Sequence, residues 1–201
     1  MTSKIIAFFR EREQDMEAIK ESKLESQNVI IRPSTFKDCE AFTKWEKTYE
    51  LKEFLTINND RNYEEIVREF IMYGQDPTKL QFTICSKEEV PIGRIYISRI
   101  SEESDSLDIT RIYIGDPEDR GKGYGEEALR LVLDYCFVNL HMERVTLDYF
   151  EGNKKAAALY EKVGFKHEGL ARNATKKDGK YFDLHLLSIL RAEYYAKLHQ
   201  K

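Results

Sequence analysis

From residue 29 onward, short apolar runs alternate with longer stretches whose apolar residues recur every three or four positions. The first pattern marks strands and the second amphipathic helices. Residues 29–32 read as a short strand, stopped by Pro33. Residues 36–47 read as a helix. A second helix starts at Asn62, which caps it while Glu65 reaches back, and runs to about Tyr73. Residues 80–85 and 90–98 form a hairpin across Lys87, Glu88 and Glu89. Residues 107–114 are the next strand. The helix expected over 126–140 gathers Ala128, Leu129, Val132, Leu133, Cys136, Phe137 and Leu140 on one face. A strand over 144–149, a helix over 154–163, a hairpin over 165–173 and 181–189, and a short helix over 191–199 complete the pattern. Ahead of it, residues 2–27 read as a charged helix with Ile5, Phe9, Met16 and Ile19 at roughly helical spacing. The expected organisation is an N-terminal helical extension, residues 1–27, on one mixed α/β (α+β) domain, residues 28–201.

Composition narrows the function classes. A chain of 201 residues with 41% hydrophobic and 34% charged residues is globular rather than disordered. A net charge of −4 argues against a general nucleic-acid binder and permits cationic, amine-bearing substrates. Cys39, Cys85 and Cys136 are scattered and odd in number, so they read as reduced, buried thiols. The apolar run Ile5-Ile6-Ala7-Phe8-Phe9 is too short for a signal-peptide core or a membrane span. The expectation is a cytoplasmic protein with no membrane anchor. His141, His167, His185 and His199 form no ligand spacing, and no metal is expected.

The chemistry concentrates at Arg120-Gly121-Lys122-Gly123-Tyr124-Gly125. This stretch follows a β-branched strand and opens an amphipathic helix. Glycine lets a backbone turn sharply and approach a ligand closely. A helix start offers unpaired N–H groups and a positive dipole end, which together suit a pyrophosphate. The spacing is neither a Walker A loop nor the dinucleotide pattern. Downstream, Asn153-Lys154-Lys155-Ala156-Ala157-Ala158-Leu159-Tyr160-Glu161-Lys162-Val163-Gly164-Phe165 follows another strand-like run.

Together these two stretches resemble the GNAT family of N-acetyltransferases. Arg120, Gly123 and Gly125 match the family's R-x-x-G-x-G/A loop. Asn153, Ala156, Leu159, Tyr160, Gly164 and Phe165 match its second segment. The resemblance spans about residues 29–194 and is closest to the ribosomal-protein alanine and spermidine acetyltransferase branch. It implies a twisted, mostly antiparallel mixed sheet flanked by helices, with acetyl-CoA as co-substrate. The implied cofactor contacts are Tyr113, Ile114 and Gly115 on the strand before the loop. Arg120, Gly121, Lys122, Gly123, Tyr124, Gly125 and Glu126 follow at the loop and helix start, and Asn153, Ala156 and Tyr160 on the second segment. Glu126 and Glu127 would repel a phosphate, so their side chains are expected to point away. A homodimer is implied by analogy.

Acetyl transfer to an amine also sets a proton problem. A lysine-like amine, with a pKa of about 10.4, is protonated near pH 7, and freeing it costs roughly 4–5 kcal/mol. A phenol stays protonated at neutral pH and can meet a leaving thiolate, the role the family implies for Tyr160. Asp108, on the strand leading to the loop, is the candidate base. Asp183 and Glu46 remain open as alternatives, each also readable as a structural carboxylate, and Asp148 has no better claim. The acceptor is an amine-bearing small molecule, such as a polyamine, or a protein N-terminus. Its surface is expected on residues 45–59 and 171–180, with Glu46, Glu50, Glu53 and Asp60 beside Trp45, Tyr49 and Phe54. The alternative function is a non-catalytic acyl-CoA-binding sensor.

Overall fold

The apolar runs become strands of one sheet, and the periodic stretches become helices on its two faces. The computed structural model describes residues 23–57 and 61–198. In chain order the elements are β1 (Leu24–Glu25), β2 (Ile30–Pro33), α1 (Asp38–Trp45), α2 (Tyr49–Phe54), α3 (Tyr63–Gly74), β3 (Leu80–Cys85), β4 (Pro91–Ser101) and β5 (Ser106–Ile114). Then come α4 (Tyr124–Asp134), β6 (Arg144–Phe150), α5 (Lys154–Val163), β7 (Lys166–Lys177), β8 (Lys180–Leu190) and α6 (Arg191–Leu198). The eight strands lie in the order β1-β2-β3-β4-β5-β6-β8-β7.

Every neighbouring pair is antiparallel except β5 and β6. That parallel pair is brief. Only Ser106, Leu107 and Asp108 pair with Arg144, Val145 and Thr146. Both strands then continue, to Ile114 and Phe150, without pairing further. The sheet therefore opens between them.

Two apolar clusters hold the layers together. The larger joins Leu129, Val132 and Leu133 of α4 to Ile95, Ile97, Ile109, Val145 and Leu147 of the strands. The smaller joins Cys39, Phe42, Leu51 and Ile66 under α1, α2 and α3 to Tyr113 of β5. Each fully buried Leu, Ile or Val contributes roughly 1.5–3 kcal/mol of transfer free energy.

Several sequence expectations are refined. The capping box at the start of α3 forms, with Asn62 accepting from Glu65 N–H and Glu65 reaching back. Helix α4 ends at Asp134, where the chain widens into a single π turn over Tyr135–Asn139 that buries Tyr135, Cys136 and Phe137. The helix expected over 2–27 does not extend to its C-terminal end. Leu24 and Glu25 are instead extended and pair with Ile31 and Ile30. Glu127 of α4 fixes the adjoining turn, accepting hydrogen bonds from Ser26 Oγ at 2.7 Å and Asn28 Nδ2 at 2.6 Å. The rest of that expected helix, residues 2–22, lies outside the described residues. Helix α2, within the expected acceptor surface, has six residues, too few to show a period. Among the described residues no helix is long and apolar enough to cross a membrane.

Candidate active site

The gap between β5 and β6 is a cleft of about 610 Å³, within the range of small-molecule sites. Its walls are residues 109–114 of β5 and 148–150 of β6. The start of α5 closes one end, and Glu50, Leu51, Glu53 and Phe54 of α2 overhang it. Of the residues singled out in the sequence, Tyr113, Ile114, Arg120, Gly125, Asn153, Ala156 and Tyr160 line this cleft. Gly115, Gly121, Lys122, Gly123, Tyr124 and Glu126 belong to the adjoining loop and helix start and do not line it.

Beyond the split, β5 turns a free edge toward the cleft. Gly115 N–H donates to Ile92 O of β4 at 2.8 Å. By the alternation of a ladder, the peptide groups of Ile114 point the other way, into the opening. Arg120 supports this edge: its Nε donates to Ile114 O at 3.0 Å and its Nη2 to Gly115 O at 2.6 Å. A guanidinium has five N–H donors, so three remain for an anion. Gly115 follows the last residue of β5. Its requirement is steric, because an added Cβ would sit 2.0 Å from the Trp45 ring.

The glycine turn ends at Gly123, which caps α4 with φ of 90°, a region that favours glycine. The first N–H groups of α4 have no intrahelical acceptors and carry the positive end of the helix dipole. As expected, the acidic side chains of this first turn point elsewhere. Glu126 pairs with Arg130 at 3.0 Å and Lys162 at 2.6 Å, and Glu127 holds the β1–β2 turn. A second helix start faces the cleft at α5, where Asn153 Oδ1 caps Ala156 N–H at 3.1 Å and Lys154 and Lys155 line the wall. Two helix N-termini and three cationic side chains thus converge on one end of the opening.

The carboxylates sort differently from the sequence reading. Asp108 does not line the cleft. It sits where β5 and β6 still pair, 5% exposed, and accepts from Thr110 Oγ1 and Thr146 Oγ1, each at 2.8 Å. Asp148 does line it. Burial, and after it the charge of Asp108, lifts the Asp148 carboxyl from 3.8 to about 6. Tyr160, 7% exposed on α5, also lines the cleft, and burial followed by the Asp148 charge holds its phenol above the ordinary value of 10. One wall therefore carries a carboxylate that titrates near neutrality and a phenol that stays protonated. The signal for Asp148 was its strand phase: it lies two residues beyond Thr146, on the same face.

Glu46 is not at an acceptor mouth. It is 1% exposed and takes Arg94 at 2.9 Å, Arg61 at 3.1 Å, Arg111 at 3.3 Å and the Tyr113 hydroxyl at 2.9 Å. Glu69 of α3 pairs with the same three arginines. This buried cluster ties α1 and α3 to β4 and β5, and so fixes one wall of the cleft. Asp183 accepts from Asn173 N–H at 2.7 Å within the β7–β8 hairpin. Trp45 is buried and Tyr49 projects into solvent, whereas Glu50, Glu53 and Phe54 do reach the cleft. Asp60 lies outside the described residues. Among the described residues no cluster of three His, Cys, Asp or Glu side chains is placed to hold a metal.

A family profile described as an acetyltransferase (GNAT) domain matches residues 28–166. The chain belongs to the GNAT family of N-acetyltransferases. The spermidine N(1)-acetyltransferase of Vibrio cholerae is 26% identical over 150 residues, covering 69% of this chain and 86% of that protein. An N-acetyltransferase 9-like protein of Caenorhabditis briggsae is 29% identical over 154 residues, covering 72% of this chain and 77% of that protein. The crystal structure of spermidine N-acetyltransferase from Vibrio cholerae in complex with CoA and spermine shares the fold. Its TM-score is 0.77 at 22% identity, over 85% of this chain and 99% of that one.

Proposed function

We propose that this enzyme moves the acetyl group of acetyl-CoA directly to a primary amine, in a ternary complex held in the cleft between β5 and β6. The observation that carries this reading is the pairing of Asp148 and Tyr160 on one wall, beside the free edge of β5 and the two helix starts. The residues present suit the co-substrate. The N–H groups at residues 121–126, with Arg120, would hold the pyrophosphate. The Ile114 edge would pair with the pantetheine arm like an added strand, and the Asn153 amide would donate to it from the opposite wall.

The chemistry then balances as follows. The ammonium of the acceptor gives a proton to Asp148. Its nitrogen lone pair attacks the thioester carbonyl carbon, forming the C–N bond. The C–S bond breaks with its electron pair on sulfur, and the Tyr160 hydroxyl protonates the sulfur. The new amide nitrogen sheds its extra proton, so the products are an N-acetyl amine, free CoA and one proton. Positioned acid–base groups of this kind contribute roughly 10²–10⁴-fold. Asp108, the base expected from the sequence, does not line the cleft, and its two oxygens are taken up by the Thr110 and Thr146 hydroxyls, so this reading gives the role to Asp148.

Glu50 and Glu53 of α2 overhang the cleft, and Asp148 lines its wall. These carboxylates suit a cationic acceptor, a polyamine or a protein N-terminus among them. A homodimer is part of the proposal on family analogy alone. Isothermal titration with acetyl-CoA, CoA, ATP and NAD tests the donor site. Binding of ATP or NAD without CoA would overturn it, and tight acetyl-CoA binding with no transfer to any amine would favour a sensor.

A further inference from the structure

Asp108 is a buried carboxylate that no cation pairs with among the described residues. Isolated buried charges are costly, and packing alone gives no reason for one here. Its surroundings fix where it points. Thr110 on its own strand and Thr146 on β6 each donate a hydroxyl hydrogen bond at 2.8 Å, one to each carboxylate oxygen. Asp108 lies opposite Thr146 in the parallel register, so Asp148, two residues further on, shares its sheet face. Strand spacing and rise put the two Cα atoms at least about 8 Å apart, since the strands part beyond Thr146. The split in the sheet falls between them: Asp108 sits in the closed part and Asp148 in the cleft wall.

We propose that Asp108 is a positioning residue for proton transfer. Held by two threonine hydroxyls beside Asp148, its negative charge sets the pH at which Asp148 takes the proton of the acceptor amine. This rests on the reading of Asp148 as the base. The other groups facing Asp148 act in identifiable directions. Arg99 of β4 opposes Asp108, Tyr160 of α5 is neutral, and Leu186 of β8, directly opposite, is apolar. The buried lift of Asp148 to about 6 accords with this arrangement, burial being its first cause and Asp108 its second. A charge about 8 Å away, at an effective dielectric of about 20, corresponds to roughly 1–1.5 pH units.

The test reads two quantities in the full chain. One is the titration midpoint of the Asp148 carboxyl carbon by NMR, assigned by its loss in Asp148→Asn. The other is the acid limb of kcat/KM with acetyl-CoA and a reactive amine. In Asp108→Asn both should move to lower pH by about 1 unit, while Asp108→Glu, which keeps the charge, should restore most of the shift. Arg99→Gln, a surface change that leaves folding intact, should move both to higher pH by a smaller amount because an exposed charge is screened. An Asp148 midpoint unchanged in both Asp108→Asn and Arg99→Gln would overturn the proposal. A midpoint that moves while the acid limb stays fixed would overturn it by another route, because Asp148 would not be the base.

Discussion

Replacing Asp148 by Asn should make the protein more stable and nearly inactive at once. In the folded chain the carboxyl is lifted from 3.8 to about 6, so ionising it in the cleft wall costs free energy that ionising it in the unfolded chain does not. A folded value above the unfolded one means that protonated Asp148 favours the fold at low pH. That contribution is complete below about pH 4 and is lost as pH rises through 6. At about 1.4 kcal/mol per pKa unit, the loss by pH 8 is at most about 3 kcal/mol. Asparagine does not titrate, so the variant escapes it. Urea unfolding at pH 8 should show Asp148→Asn more stable than wild type by up to about 3 kcal/mol, the gain shrinking to under about 1 kcal/mol at pH 4. Over the same range, acetyl transfer should fall roughly 10²–10⁴-fold at pH 8. A stability difference that does not change with pH would refute the argument that Asp148 is ionised at a cost. An unchanged rate would refute its use as a base.

Three further outcomes follow from named contacts. Tyr160→Phe should lower kcat by about 10²-fold at saturating acetyl-CoA while leaving its KM within a few-fold, and because the wild-type phenol is held above its ordinary value of 10, the wild-type rate should show no downturn from it below about pH 9.5; a full rate in the variant would remove the acid role. Gly115→Ala forces a Cβ to 2.0 Å from the Trp45 ring, so it should cost about 1–3 kcal/mol in urea unfolding and raise KM for acetyl-CoA, as α1 and the β5 edge are pushed apart. Glu46→Ala leaves Arg94 and Arg111 without their shared carboxylate in the interior and should cost about 3–5 kcal/mol, seen as a lower melting temperature; a shift of under about 1 kcal/mol would mean that Glu69 alone balances the arginines.

Local signals of the chain carried much of this architecture. Helix α5 and strand β3 have the bounds that their apolar periods and flanking residues predict, and the glycine turn lies between β5 and α4 as its residues require. What could not be read were features created by tertiary contacts. Glu46 was open as an alternative base or an acceptor-surface carboxylate because a sequence does not say that Arg94 will partner it in the interior. The steric need for glycine at 115 could not be read because the Trp45 ring that excludes a Cβ there lies 70 residues away. Our proposal of Asp148 rather than Asp108 as the base turns on a related feature. The register of β5 and β6 gives Asp108 and Asp148 the same face, but only the parting of the strands after Asp108 puts one carboxylate in the sheet and the other in the cleft. Arg120 was expected to serve the pyrophosphate, and two of its five donors also brace the strand edge. No period in the sequence reports that.

The most direct test of acetyl transfer in the β5–β6 cleft is thiol release from acetyl-CoA against a panel of amines. The panel holds spermidine, spermine, amino sugars and peptides with free Ala, Ser or Met N-termini, and wild type is run beside Asp148→Asn and Tyr160→Phe. Transfer to at least one cationic amine, lost in Asp148→Asn and reduced in Tyr160→Phe while both variants still bind acetyl-CoA, is the predicted result. Transfer that survives both substitutions would contradict the account.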